Sequence, residues 1–268
     1  MIKDDLGSRM KEFYENISKT KLMRRTPVAI RIDGKAFHTF TRGFKKPFDD
    51  ILIQAMTDTT EYLCKNIQGC VFGYTQSDEI TLILIDYQTL NTSAWFDYEV
   101  QKICSIAASM ATLKFNMTFK EAILNEEWEW KNSLTPQSVE IQKAHSDYIA
   151  TLKKAAQKGA MFDARCFNIP KEEVANLVYW RQLDAMRNSV QMVAQANFPH
   201  KELQGLNQEA LKGKLCLEKN IIWDNYPIYK QRGTAVYKSA FGDWIIDKCM
   251  PILKCNWHYI QDLINVGE

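Results

Sequence analysis

Hydrophobic residues recur with two different patterns of spacing along this chain, and together these patterns predict a mixed α+β fold. Short runs rich in Val, Ile and aromatic residues, bounded by turn residues, predict strands. These runs occupy residues 28–34, two stretches within 69–85, residues 161–167 and residues 233–237. Apolar residues spaced three or four positions apart predict amphipathic helices. These helices are expected over residues 4–19, 49–66, 94–116 and 171–195.

From residue 28 onward, the elements run in the order strand, helix, strand, strand, helix, strand. This is the split β-α-β order of ferredoxin-like folds. We therefore expect an antiparallel βαββαβ sheet with its helices on one face. Residues 117–159 form an insertion before the fourth strand, with a break at Pro136 and a polar helix that ends near Gly159. The aromatic and apolar tail over residues 241–266 is expected to pack on the rest or to mediate association.

Three carboxylates lie where the first and third strands of this arrangement meet. Asp33 ends the first strand, and Asp78 and Glu79 begin the third. These strands are antiparallel neighbours in the centre of the sheet, so the end of one lies beside the start of the other. Carboxylates this close disfavour ionisation unless a cation lies between them. Oxygen ligands favour Mg²⁺ over Zn²⁺, and two bridged ions are the arrangement that nucleotidyl transfer uses.

Basic and aromatic residues are interleaved directly after the first strand. The basic residues are Lys35, His38, Arg42, Lys45 and Lys46, and the aromatic residues are Phe37, Phe40 and Phe44. Such a density of cations beside a carboxylate site indicates a ligand that carries phosphate. At least two of the three phenylalanines are expected to pack in the core.

Composition narrows the remaining possibilities. With 46% hydrophobic and 25% charged residues, the chain of 268 residues has the composition of a globular protein, and its net charge of +2 requires any basic surface to be local. The seven cysteines include no C-x-x-C pair, so we expect reduced core thiols in a cytoplasmic protein. The four histidines lie too far apart in sequence to predict a zinc site, and no apolar run is long enough to span a membrane.

Two longer stretches are similar to the signature motifs of a known family. Residues 31–38 (RIDGKAFH, the first motif) and 73–79 (GYTQSDE, the second motif) resemble those of the tRNA-histidine guanylyltransferase family. Four further segments are similar in the same order, at residues 45–47, 162–165, 180–184 and 229–234. The family's fold is a polymerase-like palm, in agreement with the predicted strand order. A palm-like catalytic region is therefore expected over residues 1–170, with a helical and β region over 171–268 packed on it in one compact domain.

The resemblance implies which residues form the site. Two Mg²⁺ ions would be held by Asp33, Asp78 and the backbone carbonyl of Gly34, and the catalytic acids would be Asp33, Asp78 and Glu79. A nucleoside triphosphate (ATP, GTP or another) would contact a larger set. This set comprises Asp33, Gly34, Lys35, Ala36, Phe37, His38, Ser77 and Asp78, with Lys46 and Lys102 as the cations that meet the triphosphate.

The resemblance also implies the reaction. Family members extend RNA in the 3′-to-5′ direction. The RNA 5′ end is activated with a nucleoside triphosphate, and the 3′-hydroxyl of an incoming nucleotide attacks the activated phosphate. Family members assemble as tetramers, so a homotetramer is expected here.

One segment departs from the eukaryotic members of the family. They carry His-Ile-Asn-Asn-Leu-Tyr-Asn after a Trp-Arg-Gln sequence, whereas residues 186–192 of this chain read Met-Arg-Asn-Ser-Val-Gln-Met, and Asn188 alone is shared. The chain therefore resembles the guanylyltransferase-like branch, which favours templated addition. We predict template-dependent addition of nucleotides to tRNAs whose 5′ end is truncated or incomplete.

Three alternatives remain open from the sequence. A dedicated tRNA-histidine guanylyltransferase would add a single 5′ guanosine. A nucleotidyl cyclase shares the palm and a similar carboxylate pair, but it does not need the match over residues 180–188. A non-catalytic RNA-binding module does not need three acids at one edge of a sheet.

Overall fold

The chain is built around one six-stranded sheet. A computed structural model describes residues 5–133, 138–239 and 241–266. The strands are β1 (Val28–Gly34), β2 (Cys70–Gln76), β3 (Glu79–Leu84), β4 (Phe162–Asn168), β5 (Thr234–Lys238) and β6 (Trp244–Asp247). They lie in the order β4-β1-β3-β2-β5-β6, and all neighbouring strands are antiparallel.

The first four strands confirm the predicted ferredoxin-like order. β1 pairs with β3 on one side and with β4 on the other, and β2 pairs with β3. β1 suits this central position because Val28, Ile30 and Ile32 are fully buried. β5 and β6 extend the sheet beyond β2. The sequence does not predict β6, because its four residues (WIID) show no clear alternation of polar and apolar positions.

The described part of the chain contains ten α-helices, none of which is long and apolar enough to cross a membrane. They are α1 (Asp5–Met10), α2 (Phe37–Phe40), α3 (Asp50–Asn66), α4 (Val100–Lys131), α5 (Val139–Lys158), α6 (Lys171–Asn197), α7 (His200–Leu203), α8 (Gln208–Lys219), α9 (Ile228–Arg232) and α10 (His258–Ile264). The carboxylate of Asp49 accepts a hydrogen bond from the N–H of Leu52 at 3.1 Å and so caps α3 at its predicted start.

Helices cover both faces of the sheet. α3 and α4, which connect the first four strands, pack on the face that carries Val28, Ile30 and Ile32. α6 and α10 pack on the opposite face, which carries Ala29. The connecting helices therefore lie on one face, as expected, and the C-terminal region covers the other. The domain boundary at residue 170 stays a prediction, since β5 and β6 belong to the same sheet as β1 to β4.

The helix after the second strand pair is longer than expected. α4 continues to Lys131 instead of ending near residue 116, because Phe119 and Ile123 extend its buried side and no Pro or Gly interrupts it. The break expected at Pro136 lies outside the described residues. α5 ends at Lys158 and is followed by Gly159, as the sequence predicts.

The N-terminal segment is helical, but its apolar side is exposed. α1 is followed by a π-helical turn (Lys11–Glu15) and a 3-10 turn (Asn16–Ser18), and none of these three pieces contains a buried residue. Leu6, Phe13 and Ile17 are all more than half exposed. The amphipathic pattern therefore has no partner in the described part of this chain.

The prediction of core thiols is only partly correct. Cys64 and Cys70 are buried, and Cys104 and Cys166 are half-buried, with their Sγ atoms 3.7 Å apart. All seven cysteines are free, but Cys216, Cys249 and Cys255 are exposed. The prediction is wrong for these three because they lie on the outer side of α8, in the turn after β6 and in a 3-10 turn. Apolar neighbours in sequence do not bury a residue whose side chain points outward.

Candidate active site

β1 and β3 bring the predicted carboxylates together where β1 ends and β3 begins. We call this end of the central strands the catalytic edge of the sheet. Asp33 lies directly opposite Glu79 in the β1–β3 ladder, and Asp78 is in the two-residue turn before β3. The backbone N–H of Gly34 donates a hydrogen bond to the carbonyl of Asp78 at 3.1 Å. This bond joins the first motif to the second, so the two aspartates are held on a common backbone frame.

A cavity of about 500 Å³ opens beside this edge. Its wall includes seven of the residues predicted for the nucleotide site: Gly34, Ala36, Phe37, His38, Lys46, Ser77 and Asp78. Asp33 and Lys35 flank Gly34 in the chain but are not part of this wall. The structure therefore brings the two motifs together around one space, as the strand order predicts.

Other residues of the cavity wall were not assigned to a site from the sequence. They are Thr41, Phe44, Lys45, Pro47, Asp49, Leu52 and Met192. Asp49 is buried and accepts a hydrogen bond from the hydroxyl of Tyr148 at 2.8 Å. The position of Asp49 directly before a helix identifies it as a helix cap from the sequence. Its position in the cavity wall could not be predicted in this way. Met192 comes from α6, and no sequence signal connects it with either motif.

Two residues of the cavity wall adopt a left-handed backbone conformation. Ala36 has φ of 54° and Ser77 has φ of 51°. Residues with a Cβ avoid this region because the Cβ crowds the backbone. Strained positions of this kind cost about 1–3 kcal/mol each and cluster at functional sites. One such residue in each motif, both beside the same cavity, supports a functional role for that cavity.

The three phenylalanines after β1 all pack in the core. Phe37, Phe40 and Phe44 are each less than 10% exposed. The ring of Phe37 lies 5.0 Å from that of Phe40 and 5.6 Å from that of Phe115. Core packing is thus confirmed for more than the two rings expected. Phe37 also lines the cavity, so this aromatic cluster packs beneath the segment after β1 that carries the basic residues.

Substitution of Gly34 by Ala is expected to destabilise both the fold and the site. A Cβ at this position would lie 2.2 Å from Cδ2 of Phe37, whose ring is held by Phe40 and Phe115. We expect the overpacking to lower the free energy of unfolding by about 1–3 kcal/mol. Chemical denaturation measures this loss. Gly213→Ala in α8 is the control, because its Cβ would meet nothing within 4 Å. Equal stability of Gly34→Ala and the wild type would contradict the expected clash.

Asp33 and Asp78 have no cationic partner in the part of the chain that the structure describes. The carboxylate of Asp78 accepts a hydrogen bond from the Ser77 hydroxyl at 3.0 Å, and that of Asp33 has neither a hydrogen bond nor an ion pair there. Burial raises the pKa of Asp78 above its ordinary value, the charge of Asp33 adds to the rise, and the Ser77 hydrogen bond opposes it. Two adjacent carboxylates without a counter-charge are suited to a cation.

The donor atoms at this edge fit Mg²⁺. The Asp33 and Asp78 carboxylates and the Gly34 carbonyl offer hard oxygen ligands. Over residues 5–133, 138–239 and 241–266, no group of three or more His, Cys, Asp or Glu side chains is arranged to hold a metal ion. Mg²⁺ commonly takes one or two carboxylates from the protein and completes its shell with water and substrate phosphates. The site therefore fits an ion that is bound together with a nucleotide.

Glu79 lies at the same edge, but its carboxylate faces two arginines. Its Oε2 accepts a hydrogen bond from Nη2 of Arg181 at 2.7 Å, and its Oε1 lies 2.7 Å from Arg181 Nε and 3.5 Å from Arg31 Nε. Burial raises the pKa of Glu79, and the two arginines offset part of this rise. The catalytic role of Glu79 stays a prediction, and its contacts in the structure are those of a buried ion pair.

A protein-family model confirms the relationship that the motifs indicate. Residues 7–170, which include both motifs and more than half of the chain, match the model described as Thg1, tRNAHis guanylyltransferase. The chain belongs to the tRNAHis guanylyltransferase family. It is therefore a nucleotidyltransferase, and the interpretations as a cyclase or a non-catalytic module lose their support.

Similar proteins agree with this membership of the tRNAHis guanylyltransferase family. A bacterial tRNAHis guanylyltransferase (Thg1)-like protein in complex with ATP is 40% identical, with a TM-score of 0.80 over 97% of this chain and 100% of that chain. A bacterial Thg1-like protein in complex with GTP is 35% identical, with a TM-score of 0.76 over 98% of this chain and 100% of that chain. A probable tRNA(His) guanylyltransferase of Dictyostelium discoideum is 24% identical over 230 residues, covering 81% of this chain and 77% of that protein.

One residue that the family resemblance assigned to the nucleotide is not near this cavity. Lys102 lies near the start of α4, where the carbonyl of Val100 is 3.9 Å from Sγ of Cys166 in the middle of β4. α4 reaches the catalytic edge only at Thr112, which accepts a hydrogen bond from the N–H of Phe162. At 1.5 Å of rise per residue, Lys102 is about 15 Å short of that edge. Lys102 is not part of the cavity wall of its own chain, and its assignment to the nucleotide stays a prediction.

Arg181 is a candidate to which the sequence analysis gave no role. It lies on the buried side of α6, between Val178 and Ala185. A charged residue within an apolar stripe indicates a buried partner, and this signal was readable from the spacing. The sequence could not identify Glu79 as the partner of Arg181, because 102 positions separate the two residues.

Proposed function

We propose that this protein adds nucleotides to the 5′ end of tRNA in the 3′-to-5′ direction, guided by a template strand. Its substrates would be tRNAs with a truncated or incomplete 5′ end and nucleoside triphosphates such as ATP and GTP. The observation that carries the proposal is that Asp33 and Asp78, which have no cationic partner among the described residues, lie at one end of β1 and β3 beside a cavity that Asp78, His38 and Lys46 line. The ATP and GTP complexes of the bacterial relatives support nucleoside triphosphates as its ligands.

The residues at the edge of the sheet would hold and orient the reacting groups. Asp33, Asp78 and the Gly34 carbonyl would hold two Mg²⁺ ions, which when bound supply neutralisation of phosphate charge and activation of the attacking 3′-hydroxyl. Lys46 and His38 would bind the triphosphate. Phosphoryl transfer depends mainly on positioning and charge stabilisation, so no side chain has to act as the nucleophile.

Met192 supports selection of the nucleotide by a template. It ends the segment over residues 186–192 that departs from the eukaryotic motif, and it lines the cavity. The eukaryotic motif ends in Asn, whereas a thioether cannot donate a hydrogen bond and accepts one only weakly. Met192 therefore cannot read the polar edge of a base. Pairing with the opposite strand makes such a contact unnecessary.

A single incubation tests the proposed function against its alternatives. The protein is mixed with Mg²⁺, the four nucleoside triphosphates and radiolabelled tRNAs that lack one or more 5′ nucleotides. We expect products of restored length from several tRNA species. One guanosine added to tRNA-histidine alone would support the dedicated guanylyltransferase. A cyclic nucleotide made without RNA would support a cyclase, and tRNA binding without any product would overturn the proposal.

Replacement of Lys46 by Ala is expected to weaken binding of the nucleotide more than binding of tRNA. Hydrogen bonds to charged groups contribute about 1.5–3 kcal/mol, which corresponds to a loss of about ten- to hundredfold in affinity. Binding of ATP in the presence of Ca²⁺, measured by calorimetry, tests this. Arg42→Ala is the matched control, because Arg42 is an exposed cation of the same segment that does not line the cavity. Unchanged ATP affinity in Lys46→Ala would remove Lys46 from the site.

We also propose the homotetramer that the family resemblance implies. Exposed Leu6, Phe13 and Ile17 of the N-terminal segment support contact with another copy. Assembly would also offer Lys102 a nucleotide bound to a neighbouring copy, since it is not part of the cavity wall of its own chain. Sedimentation analysis measures the number of copies. The cytoplasmic location expected from the cysteine content stays a prediction.

A further inference from the structure

Three acids form a row across the catalytic edge, and the outer two are paired with arginines. Asp33 of β1 lies opposite Glu79 of β3 on one side and opposite Asp163 of β4 on the other. Asp163 lies 3.3 Å from Nη2 of Arg165, and Glu79 contacts Arg181. Asp33 is the one acid of this row without an ion pair in the described ranges. Neighbouring residues thus distinguish three acids that the strand register makes equivalent.

The pair at Glu79 differs from the pair at Asp163 because it is part of the core. The side chains of Arg181 and Glu79 are 8% and 10% exposed, whereas those of Arg165 and Asp163 are 55% and 60% exposed. Both oxygens of Glu79 lie 2.7 Å from a nitrogen of the Arg181 guanidinium, and the contact between Oε2 and Nη2 is the one that has hydrogen-bond geometry. Such a pair has a defined orientation, whereas the exposed pair is screened by water.

Further contacts hold the guanidinium of Arg181 in place. Its Nη2 also donates a hydrogen bond to Oδ2 of Asp184 at 2.9 Å, one turn further along α6. Arg31 approaches Glu79 from the β1 side, and its guanidinium carbon lies 5.5 Å from the centre of the Trp180 ring. Glu79 is therefore enclosed between two cations on the side of the sheet that α6 covers.

We propose that Arg181 is a positioning residue that withholds Glu79 from the metal ions, so that Asp33 and Asp78 alone supply carboxylate ligands. The inference rests on the proposed function. Glu79 would have to break both contacts with Arg181 before it could coordinate an ion, and this would leave a buried arginine without its main partner. The number of carboxylates that face the ions is thus set by α6, which lies outside both motifs.

The separation matters because Mg²⁺ has a small and strict ligand shell. An octahedral ion that takes a third carboxylate loses a position that a substrate phosphate or a water molecule would otherwise fill. A freed Glu79 should therefore bind the ion more tightly and make transfer slower. Release of Glu79 would thus raise the affinity for the ion and lower the rate of transfer, whereas damage to the fold would lower both.

Binding of Mn²⁺ to the full chain without RNA or nucleotide, measured by electron paramagnetic resonance, tests the proposal. We expect Arg181→Met to bind Mn²⁺ about three- to tenfold more tightly than the wild type, because ligand charge count tunes cation affinity. Glu79→Gln should bind Mn²⁺ within about twofold of the wild type, since Glu79 is not a ligand. Nucleotide addition by Arg181→Met at saturating Mg²⁺ should be slower than that of the wild type.

Two further variants separate positioning from stability. Arg181→Met combined with Glu79→Gln removes both buried charges, and it should return Mn²⁺ affinity to that of the wild type. Arg187→Met is the control, because Arg187 is exposed on α6 and contacts only Asp184 among the acids described. It should change neither Mn²⁺ affinity nor nucleotide addition. If Arg181→Met does not fold, Arg181→Lys, which keeps the charge but not the guanidinium, should show the same direction of change.

Two outcomes would overturn the proposal. A tenfold loss of Mn²⁺ affinity in Glu79→Gln would make Glu79 a metal ligand. Unchanged or weaker Mn²⁺ binding in a folded Arg181 variant would leave the ion pair with a purely structural role. The proposed function is judged separately: the expected Mn²⁺ pattern without tRNA extension by the wild type would overturn that function and leave the role of Arg181 standing.

Discussion

Asp78→Asn is expected to abolish nucleotide addition while the fold stays intact. The substitution replaces a charged oxygen ligand by a neutral amide of the same shape. Loss of metal-borne charge stabilisation worth several kcal/mol corresponds to a rate reduction of about a thousandfold. Asp33→Asn should have the same effect, because Asp33 is the other carboxylate of this site that has no cationic partner among the described residues. Single-turnover incorporation of labelled nucleotide into 5′-truncated tRNA measures the loss.

The stability of Asp78→Asn provides an independent check on its cause. Burial and the charge of Asp33 raise the pKa of Asp78 above its ordinary value of 3.8. An acid with a raised pKa in the folded state stabilises the fold below its unfolded pKa, and that contribution is lost as the pH rises through the folded value. The ionised carboxylate is therefore unfavourable at neutral pH without a cation. Metal-free Asp78→Asn should unfold at the same temperature as the wild type or higher.

Asp163→Asn is the matched control for both aspartates. Asp163 lies opposite Asp33 in the same row of the sheet, but it is exposed and pairs with Arg165. We expect turnover close to that of the wild type. Turnover near the wild-type rate in Asp33→Asn or Asp78→Asn would overturn the assignment of these two carboxylates to the ions.

Addition of nucleotides is expected to follow the opposing base of the acceptor strand. A tRNA that lacks its first 5′ nucleotide can be prepared with each of the four bases at the opposite position and offered all four nucleoside triphosphates. We expect the complementary nucleotide to be added at least about tenfold faster than the others, since one base-pair step of stacking contributes about 1.4 kcal/mol. Sequencing of the extended 5′ ends measures this preference.

The control for template use is tRNA-histidine with an intact 5′ end. In this control, the base opposite the position of the added nucleotide is changed. An enzyme that selects its substrate through protein contacts with the tRNA would add guanosine whatever the opposing base is. An enzyme that selects by base pairing would add the nucleotide that is complementary to the opposing base. Addition of guanosine regardless of the opposing base, or acceptance of tRNA-histidine alone, would refute the templated interpretation and support the dedicated guanylyltransferase.

The sequence by itself determined the fold class and the place of the catalytic edge. Alternating and helical periodicities identified the first four strands and the helices between them, because burial of one face repeats along each element. Strand order then requires the end of β1 to lie beside the start of β3. The meeting of Asp33 with Asp78 and Glu79 follows from that order alone.

Only the tertiary structure decided which partner each of these side chains has. The register makes Glu79 and Asp163 equivalent neighbours of Asp33, and the contact between Glu79 and Arg181 depends on how α6 docks on the sheet. The same docking brings Met192 to the cavity. Periodicity assigns a residue to a face of its own element, but it cannot identify a partner from an element far away in sequence.

Lys102 and the exposed cysteines show the same limit in a different way. The sequence assigned Lys102 to the nucleotide through its family resemblance, yet the direction in which α4 crosses the sheet carries it about 15 Å away from the edge. Cys216, Cys249 and Cys255 were expected in the core but are exposed in the fold. The position of a residue along its element, and the side that other elements leave uncovered, are set by long-range packing that no local pattern contains.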